Sequence, residues 1–227
     1  MLERPALVLL LLSAPAAVGA SARAGVIRGS VQLPAVPPAP KRALQAYAGT
    51  AAALPQPRVP VRGAPEDAVI YIEVLPASVD STLPASLTPP RLAQQEQSFV
   101  PRVVVVPAGG AVDFPNLDGI YHNVFSVSPI KRFDLGRYGR GKSKSVTFQK
   151  TGLVNVYCDI HANMEGFILV VPNRAFAQPD AAGRYALPEL PPGRYTVLAW
   201  HPDLASIRRE VTVPPDGDAV LDLSFER

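Results

Sequence analysis

The sequence is short of the residue types that usually carry redox and metal chemistry. Among 227 residues there is one cysteine, Cys158, one methionine besides the initiator, Met164, and three histidines. A lone cysteine excludes an internal disulfide and a dinuclear copper–thiolate centre. Three histidines are too few for a multicopper cluster or a nitrite-reducing copper pair. Aromatic residues are sparse at 7%, and a net charge of +3 is too close to neutral to argue for nucleic acid. No Lys/Arg stripe with interleaved aromatics is present either, so no nucleic-acid partner is expected. Helical periodicity longer than a turn or two is missing, and 26 prolines would interrupt it.

What is present is enough for a core. A hydrophobic content of 48% over this length supports one large or two small domains. Residues 1–24 read as a secretory signal, with Glu3 and Arg4 before the apolar run Leu7 to Leu12. Ala20, Ala22 and Ala24 are the expected cleavage positions, and no cysteine lies there for lipid attachment. The apolar run is about half the ~20 residues that a membrane span needs, so no span is expected after cleavage. Without Glu3, Arg4 and Arg23 the net charge becomes about +2. A periplasmic or secreted location follows as the expectation.

The rest of the chain predicts an all-β protein. Gly25 to Leu33 and Ala68 to Val74 read as strands, separated by a Pro/Ala-rich loop from Pro34 to Pro65. Residues 76–93 read as another loop. Short apolar segments then recur with Gly and Pro punctuation: Val103–Val106, Ala111–Phe114, Val124–Val127, Ser145–Phe148, Leu153–Tyr157 and Phe167–Val171. That spacing predicts a β-sandwich or barrel. Residues 131–144 read as a loop with Lys131, Arg132, Arg137, Arg140, Lys142 and Lys144 against a single Asp134. Two readings stand for it: solvated charges, or a docking patch for an acidic redox partner. After Pro172, strands around Arg184–Leu187, Arg194–Trp200, Ile207–Val213 and Ala219–Phe225 predict a second small all-β unit.

The scarce residues are not scattered. Cys158, His161 and Met164 follow one another at three-residue intervals directly after the apolar run ending at Tyr157. His122, in Tyr121-His122-Asn123-Val124, completes two imidazoles, a thiolate and a thioether, the ligand set of a type 1 (blue) copper centre. Cys158 is expected at a strand end, His161 and Met164 in the following loop, and His122 on a neighbouring loop. Soft sulfur suits Cu(I) and imidazole suits both oxidation states, so such a site rearranges little on electron transfer. Structural zinc prefers Cys/His sets without methionine. A nucleophilic Cys158–His161 pair lacks an orienting third group.

On these residues the chain resembles two families. Residues 98–171 look like a cupredoxin of the plastocyanin/amicyanin type. The likeness is carried by Ser98-Phe99-Val100-Pro101, Val112-Asp113-Phe114-Pro115-Asn116, His122-Asn123-Val124-Phe125-Ser126, and Cys158 through Met164 with Gly166-Phe167-Ile168. The two-residue gaps on either side of His161 match the short amicyanin-like ligand loop. The resemblance implies one type 1 copper ion, Nδ1 coordination by both histidines, and His161 as the exposed electron port. It also implies that Asn123 ties the two ligand loops together opposite Asp159. Two departures stand out: Asp159 replaces the usual Ser or Thr, and the loop lacks the amicyanin prolines. Asn163 and Glu165 point to a polar rim around His161.

Residues 172–227 resemble a carboxypeptidase regulatory-like, transthyretin-like β-sandwich module through Asp180-Ala181-Ala182-Gly183-Arg184-Tyr185 and Leu190-Pro191-Pro192-Gly193-Arg194-Tyr195. Such modules begin with strands like those at Gly29–Leu33 and Ala68–Val74. The expected organisation is therefore a cupredoxin Greek-key sandwich, 88–171, inserted between residues 25–80 and 172–227 of a second small transthyretin-like sandwich. A simple tandem is the alternative. His201 is expected to be structural.

The resulting expectation is a one-electron carrier without catalysis of its own, exchanging electrons with a cytochrome or dehydrogenase docked near His161. The rival is a chaperone or storage protein that hands over Cu(I) itself, and a third reading is an adhesive β-protein with a degenerate site. One methionine counts against the rival, since such proteins favour Met-rich or multi-thiol sites.

Overall fold

The computed structural model describes residues 23–34 and 63–226. All but the last two residues of the expected signal, and most of the Pro/Ala-rich loop, lie outside them. Among the described residues the protein is nearly all β, with one short α-helix, Ala77–Asp80, and a 3₁₀ turn, Pro65–Asp67. No helix there is long and apolar enough to cross a membrane.

Two strands come early, β1 (Ile27–Gln32) and β2 (Val69–Ile72). The middle begins with β3 (Ala93–Gln95), β4 (Ser98–Val100), β5 (Val103–Pro107), β6 (Ala111–Pro115) and β7 (His122–Ser126). It continues through β8 (Phe133–Tyr138), β9 (Ser143–Thr147), β10 (Gly152–Tyr157) and β11 (Glu165–Val171). The last strands are β12 (Phe176–Ala177), β13 (Arg184–Ala186), β14 (Gly193–His201), β15 (Leu204–Val213), β16 (Ala219–Val220) and β17 (Leu223–Ser224).

The middle strands form two facing layers. One is a five-stranded sheet in the order β5-β11-β10-β7-β8; the other holds the β6–β9 and β3–β4 pairs, joined by bridges Arg91–Asp113 and Gln94–Asn116. Phe99, Phe114, Phe148, Val124, Val154 and Ile168 fill the space between. Along β10, Val154 and Val156 point into this core, and two-residue periodicity carries Cys158 to the same side. On β11, Ile168 and Val170 face the same core. Phe167, Leu169 and Val171 face a second apolar cluster with Val69, Tyr71 and Trp200. A strand covered on both faces needs an unbroken apolar run, and Gly166-Phe167-Ile168-Leu169-Val170-Val171 is one.

The strands β1 and β2 pair with strands that follow residue 172. β1 runs antiparallel to β13 and parallel to β16 and β17. β2 lies antiparallel to both β12 and β14. Ile27, Ile70, Ile72, Leu190, Val197 and Leu223 share their core. At the junction with the middle strands sits buried Arg102. It donates to Asp203 at 2.7 and 3.0 Å and to Asp67 at 3.1 Å, and lies 5.0 Å from the Phe167 ring centroid. Burial pushes the Asp67 carboxyl up, against the pull of Arg102. Stripping one partner from such a buried pair leaves an uncompensated charge, which is why all three groups must arrive together. His201 is buried beside Asp203, whose N–H it accepts at Nδ1 (3.2 Å), a structural arrangement.

Several expectations require correction. Residues 131–144 are not a loop: β8 and the start of β9 occupy them. β8 is a sheet edge, where charged side chains discourage pairing with other chains, so its apolar Phe133, Leu135 and Tyr138 are interleaved with Asp134, Gly136 and Arg137. Residues 76–93 contain the one-turn helix and the first residue of β3. His122 opens strand β7 rather than lying on a loop.

The fit of β1 is tight. A Cβ on Gly29 would stand 1.9 Å from the Leu221 carbonyl oxygen, which is backbone and has no room to yield. Gly29→Ala is expected to destabilise the protein by about 1–3 kcal/mol or more through overpacking, seen as a lower urea midpoint.

Candidate metal centre

Three adjacent strands deliver the donors. Cys158 stands one residue past the end of β10, Met164 one residue before β11, and His122 begins β7, which pairs with β10 through Tyr157–Phe125. The seven-residue connection is drawn back on itself where the Met164 N–H donates to the His161 carbonyl at 3.0 Å. His122, Cys158 and Met164 are buried, and His161 is half-exposed.

Among the described residues His122, Cys158 and His161 form the one group of side chains arranged to hold a metal ion. The two Nδ1 atoms are 3.1 Å apart, and Cys158 Sγ lies 3.9 Å from each. A point equidistant from all three is about 2.1 Å from each, within the roughly 2.0–2.3 Å range of metal–nitrogen and metal–thiolate bonds. Met164 lies in the same buried cluster as Cys158.

The hydrogen bonds decide which ring nitrogen faces the centre. His122 Nε2 lies 2.7 Å from Asp118 Oδ2. A carboxylate only accepts, so Nε2 carries the proton and Nδ1 is the ring nitrogen left to face the centre. Burial and the neighbouring His122 ring push the His161 imidazole down, against the Asp118 carboxylate, which favours the neutral, ligating form. Burial pushes Asp118 up, but donors from Gln97, His122 and Glu96 outweigh it and hold its carboxyl below the usual range. Opposite His122 in the β7–β8 register stands Tyr138, whose hydroxyl donates to the Phe114 carbonyl at 2.8 Å. Burial is the main cause that pushes this hydroxyl up to about 12.

Asn123 touches both sides of the centre. Its Nδ2 donates to Asp134 at 2.7 Å, and its Oδ1 lies 3.4 Å from the Asp159 N–H, a long contact. Asp159 is exposed and lies 3.5 Å from the Arg137 guanidinium. Arg132, Arg137, Arg140, Lys142 and Lys144 are exposed and Lys131 half-buried. Lys144 also donates to the Leu135 carbonyl and sits 5.3 Å from the Tyr138 ring centroid. Around the centre the expected polar rim of Asn163 and Glu165 is not the whole surface. Leu117, Ile120 and Tyr121 before His122, and Ile160 before His161, are exposed apolar side chains.

Sequence reasoning missed Asp118 and the β3–β4 hairpin that contacts it. The spacing Asp118-x-x-x-His122 was visible, but four residues within a loop carry no fixed geometry.

No family model and no curated protein matches this chain. Among solved structures it is similar over 42% of its length to a copper-containing nitrite reductase from Thermus scotoductus SA-01, at 25% identity and a TM-score of 0.36. The match spans only 27% of that reductase chain. A purple cupredoxin from Nitrosopumilus maritimus is 24% identical over 33% of this chain and 82% of its own, with a TM-score of 0.31. A reduced amicyanin variant is 18% identical over 40% of this chain and 89% of its own, with a TM-score of 0.35.

Asn123→Ala would remove the side-chain donor to the exposed Asp134 carboxylate, which keeps the Gly136 N–H. The expected cost is about 0.5–1.5 kcal/mol in metal-free stability, measured by urea denaturation.

Proposed function

We propose that this chain is an exported type 1 copper protein that carries single electrons. His122 Nδ1, His161 Nδ1 and Cys158 Sγ would hold the ion, with Met164 as a fourth, weaker donor. The convergence of the three donor atoms on one point at bonding distance is the observation that carries this reading. Copper held by this donor set supplies a Cu(I)/Cu(II) couple. The protein's part is to hold the donors still: the buried strands β7, β10 and β11 fix them before any ion arrives, so little must move when an electron does.

In this reading Cys158 binds as thiolate, His122 is locked from below, and half-exposed His161 is where the electron enters and leaves. Exposed Leu117, Ile120, Tyr121 and Ile160 lie on the loops that carry the donors and form an apolar contact surface. The basic residues of β8 and its hairpin, Arg132, Arg137, Arg140, Lys142 and Lys144 with Lys131, steer an acidic redox partner, a cytochrome or dehydrogenase. A protein that hands over Cu(I) itself would present its donors; here three of the four are buried, which favours the carrier. The reading assigns no catalysis to the chain. It also takes residues 88–171 as a copper domain inserted into a transthyretin-like sandwich made from 25–80 and 172–227. The pairing of β1 and β2 with strands beyond residue 172 supports that arrangement.

Addition of Cu(II) to the mature protein is expected to produce an intense blue or green thiolate-to-copper band with narrow copper hyperfine splitting in EPR. Cys158→Ala should abolish both. A colourless protein that holds only Cu(I) and releases it rapidly to a chelator would support the delivery reading instead. The docking assignment predicts that electron-transfer rates with an acidic partner protein fall steeply as salt rises; a flat dependence would remove it.

A further inference from the structure

Between β3 and β4 the chain reverses over Glu96 and Gln97, both at positive φ, 51° and 55°. Two successive left-handed residues make the type I′ hairpin turn, for which Asn and Gly are the usual occupants. Neither is present, so the turn must be held from outside. Asp118 holds it: Oδ1 accepts from the Glu96 N–H at 2.7 Å and Oδ2 from the Gln97 N–H at 2.9 Å. The same Oδ2 accepts from His122 Nε2 at 2.7 Å. Three donors thus converge on one largely buried carboxylate.

The loop bearing Asp118 is anchored separately. Asn116, fully buried, donates to the Ile120 and Tyr138 carbonyls, both at 2.9 Å, and accepts from the Asp118 N–H at 2.9 Å. Asp118 is therefore gripped by the β3–β4 turn on one side and by its own loop on the other, and it also meets a ring whose opposite nitrogen faces the metal centre.

We propose that Asp118 is a positioning residue that keeps the proton of His122 on Nε2 and lowers the potential of the bound copper. The proposal rests on the copper reading above. A carboxylate on the far ring nitrogen makes Nδ1 a stronger donor. Its negative charge also favours the more highly charged Cu(II) over Cu(I). An Asp118 that merely closed its loop would affect stability and leave the potential where it was.

The test compares wild type, Asp118→Asn and Asp118→Glu as copper-loaded full chains, by midpoint potential and Cu(II) affinity. Asp118→Asn is expected to raise the potential and weaken Cu(II) binding roughly 10–100-fold while retaining the thiolate-to-copper band. Asp118→Glu, which keeps the charge, should shift less. A wild-type potential and affinity in Asp118→Asn would overturn the proposal and leave the copper reading intact. Absence of the band in wild type would overturn both. If the variants do not fold, ring-nitrogen NMR of the metal-free wild type decides: a proton on His122 Nε2 supports the assignment, and one on Nδ1 overturns it.

Discussion

The pairing of β10 with β11 is the constraint on which the candidate centre depends. Their antiparallel ladder runs without interruption from Gly152–Val170 to Tyr157–Glu165. It leaves only Cys158 to Met164 to turn the chain around. Because the ladder sets the position of both ends, the thiol and the thioether enter and leave that turn at neighbouring strand ends. β7, hydrogen-bonded along the other side of β10, then has a single place to put His122. The inward parity of Val154, Val156 and Cys158 does the rest: a one-residue slip would turn the thiol out of the core and bury Tyr157 in its place.

Rigidity at this hairpin is reinforced from behind. The outer face of β11 is covered by Val69 and Trp200, so no part of the strand is free to yield to solvent. The Arg102 junction lies on the same seam, and its two carboxylate partners come from before and after the middle strands. The strand β11, which follows Met164, therefore sits between two cores. For a proposed electron carrier this matters, because donors that stay put in both oxidation states leave little reorganisation to be done.

Charge around the centre is arranged in opposed pairs. Asp118 sits behind His122 and is surrounded by N–H donors, whereas Asp159 sits beside Cys158, exposed and near Arg137. The first carboxylate is screened from water and acts at short range on one ring. The second is solvated, and a surface ion pair of that kind contributes little to stability. Arg137 on β8 helps protect an edge strand from promiscuous pairing, and it belongs to the proposed steering surface as well.

Much of this was legible in the residues alone. Alternation in Leu153–Tyr157 and the unbroken apolar run in Phe167–Val171 marked two of the three strands that build the centre, and the rarity of cysteine, histidine and methionine marked its donors. Those features are local or compositional, so the sequence determined them by itself. Other features were hidden. β8 was masked because this edge strand carries Asp134, Gly136 and Arg137 where a buried one would carry valines. The β3–β4 turn was masked because Glu96 and Gln97 are poor candidates for positive φ and adopt it only against a carboxylate some twenty residues away. The 3.1 Å approach of the two imidazoles, the tautomer of His122 and the partnership of β1 with strands nearly 200 residues later were decided only by the tertiary structure. Each arises from contacts between segments distant in the chain, and no local pattern encodes where such segments will meet.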